Sequence, residues 1–327
     1  MIKKILVCVL AIFFLTTGSL AEAQQAKKIP RIGYLSLRSG IEPRDEGFQK
    51  GLRELGYIEG QNIVIEWRFA KGNENSLPDL AAELVRLKPD VIVAAGTQAI
   101  RTVKQTTSSI PIVFGQVGDP VQLGLVASLA HPGGNLTGVA NVSMDLAGKW
   151  LELLKEVLPK MSRVAFVRDS RNPGTALALK ALEITARQLG VQMQSLEVRS
   201  PDDIETAFQA ARKGRVQALI LMAQGVFGTR QDRARFVDLE IKTKLPVMHS
   251  DQQFVIDGGL MSYDTDMREQ FRSLATFVDK ILKGRKPVDL PVEQPMKFEL
   301  VINLKNAKQI GVTIPQWTLM KADRVIR

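Results

Sequence analysis

Apolar and polar positions alternate between two periods along this chain. Arg31–Leu37, RIGYLSL, reads as a strand, and the next segment puts Phe48, Leu52 and Leu55 on one helical face. Asn62–Phe69 alternates with a period of two, and Leu77, Leu80, Leu84 and Leu87 then recur at three and four. Val91–Ala95 is a continuous apolar run, as expected of a strand buried on both faces, and Ile110–Gly115 is a further strand. Strands alternating with amphipathic helices predict βα units around a parallel sheet.

The same order returns in the second half. SRVAFVRD (162–169) echoes PRIGYLSL (30–37), and ARQLGVQMQSLEVRS (186–200) echoes LRELGYIEGQNIVIEW (52–67). GRVQALILMAQGVFG (214–228) echoes RLKPDVIVAAGTQAI (86–100), and TKLPVMHSDQQF (243–254) echoes SSIPIVFGQVGD (108–119). The offset of about 130 residues far exceeds the ~20–50 of solenoid repeats, so it predicts two similar whole lobes. The Leu-Gly pairs at 55–56 and 189–190 mark helix ends, because glycine accepts a left-handed backbone without a Cβ clash. Three extended links, near residues 137–145, 257–264 and 290–298, suggest that the chain crosses between the lobes three times. The expected division is residues 30–139 plus 259–290 for lobe 1, completed by the helix around Phe271, and 140–258 plus 295–327 for lobe 2.

Composition narrows the class. At 327 residues, 45% hydrophobic and 24% charged, the chain is an ordinary globular sequence long enough for two domains. Residues 1–23 are expected to be a secretory signal peptide: Lys3 and Lys4 precede an apolar run from Ile5 to Leu15, and Ala21-Glu22-Ala23 offers a small-x-small cleavage site. Cleavage would remove Cys8, the only cysteine, and with it thiol catalysis and thiolate metal sites. No later segment has the ~20 apolar residues of a membrane helix, so no stable membrane insertion is expected after cleavage. The net charge of +10 is spread without a basic run, which reads as a solvated surface and not as a nucleic-acid face.

In open parallel sheets, ligands bind beyond the carboxyl ends of the strands, where helix N-termini present unpaired N–H groups. Those ends carry polar residues in this chain. Ser36 and Arg38 follow the first strand; Gly96, Thr97 and Gln98 follow the third; Gln116, Gly118 and Asp119 follow the fourth. In the second half Asp169 and Asn172, Gln224, and Ser250 with Asp251 occupy the matching places, and Tyr263 lies in the second link. Hydroxyls, amides, a few charges and an aromatic ring suit a small organic solute carrying a carboxylate, an amino acid or an aromatic acid. Tyr34, Phe227 and Tyr263 could stack on the solute, with packing the favoured role for each. GDPVQLG (118–124) reads as a turn with proline at the first position of a helix. His249 ends a strand and could reach the cleft, with a half-buried strand-end histidine the favoured reading. No metal pair, Gly-x-Ser-x-Gly elbow, Walker A or Gly-x-Gly-x-x-Gly motif occurs, so neither catalysis nor a cofactor is expected. A secreted α/β enzyme using the same cleft is the alternative.

GFQKGLRELGYIEGQNIVIEWRFAKG, LKPDVIVAAGTQA, IPIVFGQVGDPVQLGLVASLAHPGGNLTGV, GGLMSYD and LPVEQPMKFELVINLKNAKQIG together resemble the ABC-transporter substrate-binding proteins labelled as tryptophan/tyrosine uptake components. The resemblance implies a type I periplasmic binding protein: two Rossmann-like, doubly wound α/β lobes on a three-segment hinge, closing on a solute. It also implies a periplasmic monomer whose partners are an ABC permease and its ATPase. By position, Thr97-Gln98 and Gln116–Asp119 would hold the solute from one lobe, and Asp169, Asn172, Gln224 and Asp251 from the other.

Overall fold

A computed structural model describes residues 28–141, 143–222, 227, 229–295 and 297–327. The expected signal peptide and Gln224 therefore lie outside the described residues. Two separate sheets organise the chain. The first has the order β2-β1-β3-β4-β5, all parallel, from β1 (Arg31–Ser36), β2 (Val64–Phe69), β3 (Val91–Ala95), β4 (Ile112–Gly115) and β5 (Leu136–Gly138).

The second sheet repeats that order and extends it. β6 (Arg163–Asp169), β7 (Gln192–Val198), β8 (Ala218–Leu221), β9 (Val247–His249) and β10 (Met261–Asp264) lie as β7-β6-β8-β9-β10, again parallel. β11 (Glu299–Asn303) adds antiparallel to β10, and β12 (Arg324–Ile326) adds parallel to β11. The internal repeat read from the sequence is thus a repeat of topology, strand for strand.

Both sheets are covered on both faces, which is why their central strands read as unbroken apolar runs. In β3, Val91, Val93 and Ala95 face a core with Phe48 and Leu52 of α1 (Pro43–Glu54) and with Phe271, Leu274 and Val278 of α9 (Met267–Leu282). Ile92 and Ala94 face the opposite core, with Leu84 of α2 (Leu77–Arg86) and Ile100 and Val103 of α3 (Thr97–Thr106). In β6, Val164 and Phe166 meet α4 (Ser143–Val157) and α5 (Pro173–Gln188) through Trp150, Leu154 and Leu182. Ala165 and Val167 meet α6 (Asp203–Lys213) and α7 (Arg230–Thr243) through Phe208 and Phe236. Each fully buried large side chain contributes about 1.5–3 kcal/mol.

The chain leaves the first layer after β5 and returns with α9, which packs on α1. It leaves again past Glu293, whose backbone bridges Val139, to form β11, α10 (Leu304–Ile310), α11 (Gln316–Lys321) and β12 in the second layer. Local reading departs from the structure in two places. Pro120 opens no helix: residues 120–124 form a turn capped by Asp119, whose Oδ1 accepts from Val121 and Gln122 N–H at 2.9 Å. Tyr263, expected in an extended link, lies in β10 as a strand of the second sheet, paired in register with Leu300 and packed at 6.0 Å on Phe298.

Candidate solute-binding cleft

The carboxyl ends of the two sheets face each other across a seam. Among the described residues three ion pairs cross it: Arg233–Glu42 at 2.8 Å, Arg38–Asp251 at 3.5 Å and Arg171–Glu74 at 3.7 Å. Two cavities open along it. One, of about 430 Å³, is lined by Arg38, Glu42 and Arg44 from one layer and by Asp251, Gln252 and Ile256 from the other. The second, of about 380 Å³, lies between the Gly118–Gln122 turn and the Leu177–Ala181 stretch of α5.

Most expected site residues gather at this seam and are buried. β1 ends in Ser36, whose Oγ accepts the N–H of Arg38 at 3.3 Å. Gly96 carries φ = 95°, a backbone that L side chains avoid, and so turns β3 directly into α3 with Thr97 and Gln98 in its first turn. Thr97 faces the first turn of α5: a Cβ on Gly174 would lie 4.0 Å from its Oγ1. Two helix N-termini, one from each layer, therefore converge. Asn172 caps α5 through Gly174 N–H at 2.9 Å, and Asp169 is held in a bidentate pair by Arg171 at 3.0 and 2.9 Å. Asp251 caps α8 (Gln252–Ile256) through Gln253 N–H, and Ser250 is buried beside it. Gln116 adopts φ = 58° at the end of β4, and its Oε1 accepts from Arg44 Nη1.

Three candidates serve the interior instead. Tyr34 is fully buried in the first core, 4.5 Å from Trp67, with its hydroxyl donating to Asp45. Phe227 packs edge-on at 5.5 Å against Phe236. His249 is fully buried, not half-buried. Its Nε2 lies 2.9 Å from Glu240, and its ring stacks 4.9 Å from Phe254, so it braces the second lobe from within.

The most informative residue was not among the candidates. Arg44 is 5% exposed and rests 5.0 Å over the Phe271 ring. Its Nη1 is satisfied by Gln116, but Nε and Nη2 are buried without a hydrogen-bond partner, Nε being 4.0 Å from Asp45. Gln98 Nε2 and Gln270 Oε1 are likewise buried and unpaired, while Gln270 Nε2 donates to Asn141. Buried donors without partners carry a desolvation penalty of about 1–3 kcal/mol each, which an anionic group of a bound molecule would relieve. Burial and the nearby Arg38 pull the Arg44 pKa down from its ordinary value, which marks how little solvent or acid compensates it. Asp264, at the end of β10, is 5% exposed. Burial pushes its carboxyl up to about 8, against the Thr265 N–H bond at 2.7 Å and with the neighbouring Asp251 adding to the rise. Asp264 thus neighbours Asp251, which lines the same cavity as Arg44.

Residues 38–326 match the family of ABC transporter substrate binding proteins. The chain belongs to that family. A tyrosine-binding protein of Clostridioides difficile is 25% identical over 290 residues, 88% of this chain and 82% of that protein. The crystal structure of an ABC domain from Streptococcus pneumonia in complex with L-Trp superposes with a TM-score of 0.82 at 26% identity, covering 91% of this chain and 99% of that one. A conserved domain protein from Vibrio cholerae reaches 0.85, also at 26%, covering 91% and 100%. The fold of this substrate-binding protein is the type I periplasmic binding fold, two α/β lobes built on mainly parallel sheets.

Arg44 carried a signal that sequence reasoning passed over. It sits at the second position of α1, where the positive end of the helix dipole disfavours a cation. A basic residue placed against that field beyond a strand end is there for something other than helix stability. Asp264 gave no such signal, since its burial depends on how β10 meets the seam.

Proposed function

We propose that this substrate-binding protein is the periplasmic receptor of an ABC importer for an α-amino acid with an aromatic side chain, which it delivers unchanged to a membrane permease. The observation that carries this reading is Arg44, buried at the seam with two guanidinium nitrogens that make no hydrogen bond. A carboxylate matches that fork, and the Gln98 amide supplies a further donor. Asp264 takes the ammonium group, and the two groups of opposite sign select a zwitterion over a plain acid or a sugar. The names of its relatives, one a tyrosine-binding protein and one crystallised with L-Trp, supply the aromatic side chain. Ligand contacts from both lobes favour the closed arrangement, and the ion pairs across the seam form only there.

Isothermal titration with L-tyrosine, L-tryptophan, L-leucine, indole-3-acetate and glucose tests the reading. Saturable binding of the aromatic amino acids, and much weaker binding of indole-3-acetate, is expected. Preferential binding of glucose, or equal affinity for indole-3-acetate and L-tryptophan, would overturn it.

A further inference from the structure

Glu42 occupies an unusual place. It is the N-cap of α1 and, with Asp45, closes a capping box: the Glu42 side chain takes the N–H of the third helical residue, and Asp45 takes that of Glu42 at 2.9 Å. The same carboxylate accepts from Arg38 of its own lobe through Oε2 and from Arg233 of α7 in the opposite lobe through Oε1, at 2.8 Å. Arg233 is itself fixed from behind, its Nε 3.0 Å from Asp257. The side chains of Glu42 and Arg233 are only 14% and 4% exposed. Exposed surface ion pairs are worth little, but a mostly desolvated pair of this kind couples its two surfaces measurably.

The consequence lies two residues further on. Arg44 belongs to the same first helical turn that Glu42 caps, so whatever fixes Glu42 also fixes the guanidinium that faces the seam. We propose that Glu42 and Arg233 are positioning residues of the binding site: their ion pair latches the N-terminus of α1 to lobe 2 in the closed form and so holds Arg44 in place at the cavity that Glu42 helps to line. The inference rests on the receptor reading for Arg44, but the latch itself acts whether or not a solute is present. Its partners separate when the lobes part, each regaining water and keeping a local partner, Arg38 for Glu42 and Asp257 for Arg233. The latch therefore biases closure without stranding a charge in the open form.

The test measures closure and affinity separately. With Cys8, the only native cysteine, replaced by serine, spin labels at Asn75→Cys on lobe 1 and Arg199→Cys on lobe 2 report the inter-lobe distance by double electron–electron resonance. Arg233→Met is expected to enlarge the long-distance population with no ligand added, and to weaken L-tryptophan binding about tenfold. Arg233→Lys restores much of both, which mere space-filling would not explain. Raising salt opens the unaltered protein and has less effect on Arg233→Met. Should Arg233→Met fail to fold, Glu42→Gln keeps the helix cap and weakens the same pair. An unchanged distance distribution in a folded Arg233→Met or Glu42→Gln protein would overturn the latch, even if L-tryptophan binds. Absence of L-tryptophan binding in the unaltered protein would count against the receptor reading alone, because the distance measurement still decides the latch.

Discussion

The guanidinium of Arg44 lies 5.0 Å above the ring of Phe271, so a helix that starts lobe 1 and a helix that returns to it after β10 together build one cation site. The ring holds the plane of the fork while Gln116 occupies a single nitrogen. Arg44→Met is expected to weaken binding of L-tyrosine or L-tryptophan on the order of 100-fold in isothermal titration, as for loss of one partner of a buried charge pair. It is also expected to raise the melting midpoint of the ligand-free protein by roughly 2–4 °C, since a desolvated, half-satisfied charge is removed. Arg44→Lys keeps the charge but not the fork, and falls between. A variant that binds as well as the unaltered protein would remove Arg44 from the site.

Asp264 makes the binding pH-dependent. Burial holds its carboxyl up at about 8, so the folded, ligand-free protein keeps a proton that the unfolded chain releases near its ordinary value of 3.8. Folded-state stability from this group is therefore full at acid pH and lost as pH rises toward 8. An ammonium ligand needs the ionised form, and its binding expels the proton. Affinity for L-tryptophan is expected to rise by up to about tenfold per unit between pH 6 and pH 8. Asp264→Asn flattens both dependences, weakens binding and stabilises the ligand-free protein at pH 8. Thermal melts and titrations at four pH values check this, and an affinity that falls with rising pH would contradict it.

How much of this was legible in the sequence follows from what sets each feature. Periodicity places a side chain on a face of its own strand or helix, so β1 to β4, their helices and the repeat in the second half were readable, and so were strand-end residues such as Thr97, Gln116 and Asp251. Which side chain ends buried without a partner depends on how elements distant in sequence meet, and Arg44, Gln270 and Asp264 acquire their character only there. Tyr34 and Phe227 are packing groups, the role favoured for both over stacking on the solute, although an aromatic near a strand looks alike whether it points to a core or to a cleft. The turn after Gly118 was misjudged because Asp119 satisfies the N–H groups of Val121 and Gln122 from a position that would equally cap a helix.

Two glycines set how closely α1 meets α9. A Cβ on Gly47 would lie 2.3 Å from the carbonyl oxygen of Arg268, and one on Gly51 would lie 2.4 Å from that of Arg272 and 2.9 Å from the Ala275 Cβ. Alanine is the better helix former by about 1 kcal/mol, so propensity alone predicts that Gly51→Ala stabilises. Backbone cannot yield as a flexible side chain does, and overpacking costs about 1–3 kcal/mol. Gly51→Ala is therefore expected to lower the melting temperature, and because α9 carries Phe271 and Gln270, to weaken ligand binding as well. A raised midpoint would show that the two helices can separate without cost.

His249 and Glu240 supply the control that separates lobe stability from binding. Their contact at 2.9 Å is fully buried, Glu240 Oε1 also accepts the N–H of Leu260 at 2.9 Å, and neither residue lines a cavity at the seam. The pair ties α7 to β9 and to the turn that enters β10. Burial pushes the Glu240 carboxyl up and the contact with His249 pulls it down, the rise prevailing, so the group depends on its partners to remain in the interior. Glu240→Ala strands the imidazole and the Leu260 N–H, and is expected to cost about 3–5 kcal/mol in urea unfolding. At temperatures where the variant stays folded, its affinity for L-tryptophan should match that of the unaltered protein within about twofold, since neither side chain lines either cavity at the seam. A selective loss of binding with unchanged unfolding would instead place His249 in the cleft and reverse its assignment to the interior.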